Sequence, residues 1–168
     1  MIFVTVGTHQ QPFDRLLDGL AGLPAGELVV QHGYGAAPGG VARAAPFMSY
    51  LEMVRCFEEA ERVVTHAGVG SILSARRAGH VPVVVPRQKR HGEHVDDHQL
   101  ELTRALAATG HVIAVLDTAE LAAAVASAPP RGAPSGTSGA LHAAVREALG
   151  PASAPQRPLE VLGERERP

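Results

Sequence analysis

Tryptophan is absent from this sequence, and 168 residues contain only two tyrosines and four phenylalanines. The core therefore has to be built from Val, Leu, Ile and Ala. A single cysteine, Cys56, excludes an internal disulfide and points to a reducing compartment. Charged residues make up 19%, below the usual quarter, and the formal net charge is -2 with a pI near 6.5. That balance argues against a nucleic-acid partner held on a broad basic face. No apolar run approaches the roughly 18 residues of a membrane span. The opening MIFVTVGT lacks the basic segment of a secretory leader. The length suits one domain that buries its own core without staples. The expectation is a soluble, cytoplasmic chain.

What the sequence does have is alternation. Short apolar, β-branched runs read as strands at 2–6, 27–31, 62–65, 81–85 and 111–116. Between them, helical spacing covers 12–22, 50–60 capped by Ser49, 71–78 stopped by Gly79, 96–109, and 118–126 capped by Asp117. Phe13, Leu16, Leu17 and Leu20 form the apolar face of the first helix; Leu51, Val54, Cys56 and Phe57 form that of the second. Residues 36–46 read as a loop with a short extended piece, and 86–95 as a polar loop. The pattern predicts an α/β fold: a Rossmann-like, doubly wound parallel sheet with right-handed crossovers. The chain divides into this domain (1–127), a Pro/Gly/Ser-rich loop (128–138), a C-terminal helix (139–149) and a tail (150–168) expected to be poorly ordered.

In such sheets ligands bind beyond the carboxyl ends of the strands. Four strand ends carry unusual residues: Gly7-Thr8-His9; His32 to Gly35; His66 to Ser71; and Pro86 to His94. The third is the most informative. A strand ends, Gly68 and Gly70 allow close backbone approach, and a helix is expected from Ser71. Free backbone N–H groups there suit a diphosphate, with His66 and Ser71 as added donors. A tight turn with Ser71 as a plain cap is the alternative. Thr8 reads as a phosphate contact or a cap, and His9 as a general base or a polar rim residue. His91, Glu93, His94, Asp96, Asp97 and His98 form the densest polar cluster. His94 and His98, at i and i+4, would suit zinc on a helix; sugar recognition or loop ordering is the preferred reading, with no metal. Gln99 can both donate to and accept from sugar hydroxyls. Arg87 is the favoured cation for a diphosphate among Arg87, Lys89 and Arg90.

His66-x-Gly68-x-x-Ser71, Gly79-x-x-Pro82, Pro86 and His98-Gln99 together resemble the nucleotide-sugar motif of GT-B glycosyltransferases. Over about residues 1–125, VTVGTHQQPFDRLL, HAGVGSI and GEHVDDHQLELTRAL resemble the glycosyltransferase family 28 C-terminal domain in its stand-alone form. That form includes the small subunit of the eukaryotic dolichol-linked GlcNAc transferase and bacterial exopolysaccharide transferase subunits. The resemblance implies one GT-B half binding a UDP-sugar as substrate, with no tightly bound cofactor. It implies donor contacts at Gly7, His66, Gly68, Val69, Gly70, Ser71, Arg87, Glu93, His98 and Gln99, and catalytic roles among Thr8, His9 and His94. It also implies a membrane-associated, acceptor-binding partner subunit, a lipid-linked acceptor and a peripheral place at the inner membrane face. Where many relatives hold the ribose with a glutamate, this chain has Ser74. Two other readings stand beside it: a non-catalytic nucleotide-sugar-binding regulatory module, and a His-rich metal hydrolase.

Overall fold

A computed structural model of the chain describes residues 1–133 and 139–149. Among them, six parallel strands form one sheet: β1 (Ile2–Thr5), β2 (Leu28–Gln31), β3 (Arg43–Ala45), β4 (Arg62–His66), β5 (Val83–Val85) and β6 (Ile113–Ala114). Their order is β3-β2-β1-β4-β5-β6. The chain winds outward from β1 to β3, returns to the middle at β4, and winds outward the other way. The direction reverses between β1 and β4, paired Thr5 to Thr65 at their ends. Loops leaving two such strands diverge and open a crevice between them.

Helices cover both faces. Side chains alternate along each strand. Ile2, Val4, Val30 and Val83 point to the face covered by α1 (Asp14–Gly19) and α5 (Leu121–Ser127), where Phe13, Leu16 and Leu121 pack. Phe3, Val29 and Val63 point to the other face, against α2 (Tyr50–Glu59) and α3 (Val69–Arg77). Beside them, Val84 meets α4 (His98–Ala108) and α6 (Gly139–Leu149). With few aromatics available, this two-faced core is overwhelmingly aliphatic. Its one close aromatic pair, Phe3 edge-on to Phe57 at 5.1 Å, lies under α2. Among the described residues no helix is long and apolar enough to cross a membrane.

Several boundaries differ from the sequence expectation. Pro12 precedes the first helix, which starts at Asp14 and tightens into a 3₁₀ turn over Leu20–Gly22. β5 starts at Val83, after Pro82, which has no N–H for the ladder. α3 starts at Val69, two residues before Ser71, because Gly68 is already the N-cap. α4 starts at His98, whose N–H is accepted by Asp96 Oδ1, while Asp97 Oδ1 accepts the Lys89 N–H from the preceding loop. α2 has the expected cap, a reciprocal box in which Ser49 and Glu52 each accept from the other's backbone. The Ser49 N–H, with Arg43, holds the Glu52 carboxyl down to about 2. Leu51 is 68% exposed: it opens α2 on the solvent side, and Phe57 and Cys56 carry the buried face. The helix at 139–149 lies on α4 through Leu141 and Val145, so its apolar face is used within this chain. The tail, 150–168, lies outside the described residues.

Candidate functional site

The crevice between β1 and β4 is floored by the start of α3. Gly68, extended at φ -71° and ψ 124°, turns the chain from β4 into the helix. The first helical bond runs from the Ile72 N–H to the Gly68 carbonyl at 3.1 Å. The N–H groups of Val69, Gly70 and Ser71 precede that bond and have no acceptor in the helix. No side chain caps them. Gly70 is exposed, and a Cβ on it would meet nothing within 4 Å. Its bareness is therefore not a packing requirement. It leaves the backbone open to a group coming from solvent, and the helix dipole favours an anion there. Ser71 lines the same cleft as the third helical residue rather than its cap. Ser74 is engaged by its own helix, with Oγ donating to the Gly70 carbonyl at 2.8 Å.

His66 stands at the end of β4 with its ring held between two glycines. A Cβ on Gly7 would lie 2.5 Å from ring atoms, and one on Gly68 would overlap Nε2. Gly7 also has φ +79°, a left-handed backbone that glycine adopts without penalty. Burial, helped by the nearby charge of Arg87 and opposed by a hydrogen bond to the Thr5 backbone, lowers the imidazole to about 4. His66 is thus a neutral ring at physiological pH, its single N–H turned to the Thr5 backbone, and it lines the cleft without adding charge.

Buried Gln31, which the sequence reading passed over as the last residue of a strand, fixes the opposite wall. Its Oε1 accepts from Thr5 Oγ1 at 2.6 Å and from the Gly7 N–H at 3.2 Å. Its Nε2 donates to the Gly7 carbonyl at 3.0 Å and the Pro46 carbonyl at 2.7 Å. One amide therefore ties the β1 loop to the segment carrying Phe47 and Met48. These two residues, Met53 and the start of α3 enclose a cleft of about 210 Å³. A polar residue ending an apolar strand, as in ELVVQ, was the available signal.

A second cavity of about 490 Å³ adjoins it, lined by Thr8, His9, Gln10, His66 and Gln99. Gln99 is pinned by the Arg87 N–H donating to its Oε1 at 3.1 Å. Its NH₂ group has no protein partner among the described residues. The His9 and His94 rings lie 5.1 Å apart, tilted by 42°, and His94 Nδ1 lies 3.0 Å from Asp96 Oδ1. Burial opposes ionisation of Asp96. The His98 N–H and the neighbouring His94 and His98 outweigh it and hold that carboxyl low. His98 is exposed at the start of α4, near Asp96 and Glu101. His94 precedes that helix, so the i,i+4 geometry expected for a zinc pair does not exist.

Arg87 and Glu93 do not face either cavity. Arg87 is wholly buried: its guanidinium donates to the carbonyls of Val6, Gln11, Pro12 and Glu93 and lies 4.6 Å over the Phe13 ring. It stitches the β1 loop to the β5 loop, and burial keeps the whole group, including an Nε–H with no partner among the described residues, away from a diphosphate. Glu93 is bound by Arg15 through both oxygens, at 2.8 and 2.9 Å, and accepts the Gln88 N–H. Arg15 also reaches the Pro86 and Leu116 carbonyls. Glu93 therefore orders the loop, and Arg15 is the ion-pair partner that the sequence did not single out.

Comparison with known proteins agrees with this geometry. The model of the glycosyltransferase family 28 C-terminal domain matches residues 1–131. The chain belongs to that family. Its parallel sheet and the helix start beyond β4 are thus those of a glycosyltransferase domain. Among curated proteins it is similar to the UDP-N-acetylglucosamine transferase subunit ALG13 of Yarrowia lipolytica, 41% identical over 59 residues. That stretch spans 35% of this chain and only 28% of the relative. No solved structure matches the chain.

Proposed function

We propose that this chain is the donor-binding subunit of a two-subunit glycosyltransferase that moves a sugar from a UDP-sugar to a lipid-linked acceptor. The observation that carries the proposal is the uncapped start of α3, where three backbone N–H groups and the neutral His66 ring face one open cleft. The diphosphate lies over Val69, Gly70 and Ser71. The nucleoside lies towards Phe47, Met48 and Met53, and the ribose is held without Ser74, whose hydroxyl is engaged by its own helix. The sugar occupies the adjoining cavity, where the free amide of Gln99 meets its hydroxyls beside Thr8 and His9. The named relative makes UDP-N-acetylglucosamine the first donor to try.

Rate enhancement comes from the preorganised N–H groups, which stabilise charge as it develops on the departing UDP. No tightly bound cofactor takes part. The acceptor is presented by a membrane-associated α/β partner, which places the complex at the cytoplasmic face of the membrane. The helix at 139–149 is already packed on α4, so partner docking falls to other surfaces.

Calorimetry with UDP and UDP-N-acetylglucosamine tests the donor site. Both should bind the isolated chain, and Gln99→Ala should weaken only the sugar nucleotide. Equal losses would place Gln99 outside the sugar pocket. Transfer should require the partner; robust transfer by the purified chain alone would overturn the two-subunit reading. Binding without transfer in the complex would leave a regulatory module.

A further inference from the structure

Two histidines stand side by side, His9 on the lining of the larger cavity and His94 against it, and their hydrogen bonds give them opposite tautomers. His9 Nδ1 lies 3.3 Å from the Gln11 backbone N–H. An amide N–H can only donate, so this nitrogen carries the lone pair and the proton sits on Nε2. His94 Nδ1 lies 3.0 Å from a carboxylate oxygen of Asp96. An ionised carboxylate can only accept, so here Nδ1 carries the proton and Nε2 the lone pair. The Asp96 N–H, at 3.4 Å from the same nitrogen, is the weaker neighbour. Asp96 is itself anchored, since Oδ1 also accepts the His98 N–H at 3.1 Å where α4 begins. His94 is 20% exposed at its side chain and its ring rests on His9, which lines the cavity.

We infer that His94 is the general base for the acceptor hydroxyl, and that Asp96 is the positioning residue that, by accepting from Nδ1, leaves the lone pair on Nε2. His9, with Nε2 protonated, cannot serve as the base and is a hydrogen-bond donor beside it. In the step, the acceptor O–H bond breaks and its proton passes to His94 Nε2. The oxygen's electron pair forms the bond to the anomeric carbon. The bond from that carbon to the diphosphate breaks, and its pair leaves on the UDP oxygen. His94 then returns the proton to solvent. This inference rests on the donor-binding reading above.

Two readouts test it separately. Long-range ¹H–¹⁵N spectra of the full chain near pH 8 should show His94 protonated at Nδ1 and His9 at Nε2. Asp96→Asn, which offers an amide N–H in place of a carboxylate oxygen, should shift His94 towards the Nε2-protonated form and leave His9 unchanged. With the partner complex and UDP-N-acetylglucosamine as probe, His94→Gln should lower kcat about a hundredfold or more and Asp96→Asn about tenfold or more. KM for the sugar nucleotide and affinity for UDP should stay put. A His94 ring indifferent to Asp96, or a kcat unchanged in either variant, overturns the inference. If the wild-type complex binds UDP but turns over no sugar nucleotide, the base role fails with the transferase reading, and the ring spectra still decide the dyad. Loss of UDP binding in the wild type would instead condemn the donor site.

Discussion

Two loops at the same edge of the sheet are built on opposite plans. The turn after β4 is short and uncharged, Ala67-Gly68 following a neutral histidine, and the start of its helix points outward with its N–H groups unused. The loop after β5 carries far more charge, yet its strongest groups are turned inward and bonded to one another. The sparse loop can therefore receive a ligand, while Arg87, Glu93 and Arg15 hold the β1, β5 and β6 loops together beneath it. Charge density at a strand end is a poor guide to binding. Unsatisfied backbone beside residues that cannot crowd it is a better one.

Removing charge from the β5 loop should give the largest effect. Glu93→Ala leaves Arg15 and the Gln88 N–H without their acceptor. It should cost about 3–5 kcal/mol of stability, as when one partner leaves a buried ion pair. Urea midpoints at constant slope would report it, and UDP affinity of the folded fraction should move little. A stable Glu93→Ala protein that has lost UDP would reverse the roles of the two loops.

Next comes the dependence of stability on pH. His66 has a folded pKa of about 4, below its ordinary 6.5, because burial and then Arg87 disfavour its charged form. The unfolded chain therefore binds more protons between those values. The contribution is fully present above pH 6.5 and is lost as pH falls towards 4, by at most about 3 kcal/mol. His66→Asn should flatten that part of the profile. An unchanged slope would mean that the ring protonates freely and is not enclosed by Gly7 and Gly68.

Leu51→Lys, at the exposed start of α2, should change stability by less than about 0.5 kcal/mol. A loss of several kcal/mol would restore Leu51 to the apolar face that its helical spacing with Val54 and Phe57 suggested.

Much of this was readable in the residues. Short β-branched runs and glycine stops located five of the six strands and the rim where their loops meet, because parallel strands buried on both faces must be apolar; β3, short and exposed at the sheet edge, read only as an extended piece of a loop. The bond pattern of the loops was not readable. Arg87 beside Pro86 looks like a rim cation in sequence, and only the positions of Val6, Gln11 and Pro12, some eighty residues earlier, show that carbonyls draw it inward. Gln31 was hidden for the same reason, since its partners Gly7 and Pro46 meet it only in three dimensions. Leu51 misled because a helical stripe continues one turn beyond the part that is covered.

The most direct test is a UDP titration of wild-type chain against Gly70→Val. The added side chain meets no protein atom within 4 Å of its Cβ, so melting temperature should be unchanged apart from a small helix-propensity effect. It stands over the free N–H groups of α3, so UDP affinity should fall at least thirtyfold, about 2 kcal/mol. A folded Gly70→Val protein that binds UDP as tightly as wild type would contradict the assignment of the diphosphate to the start of α3.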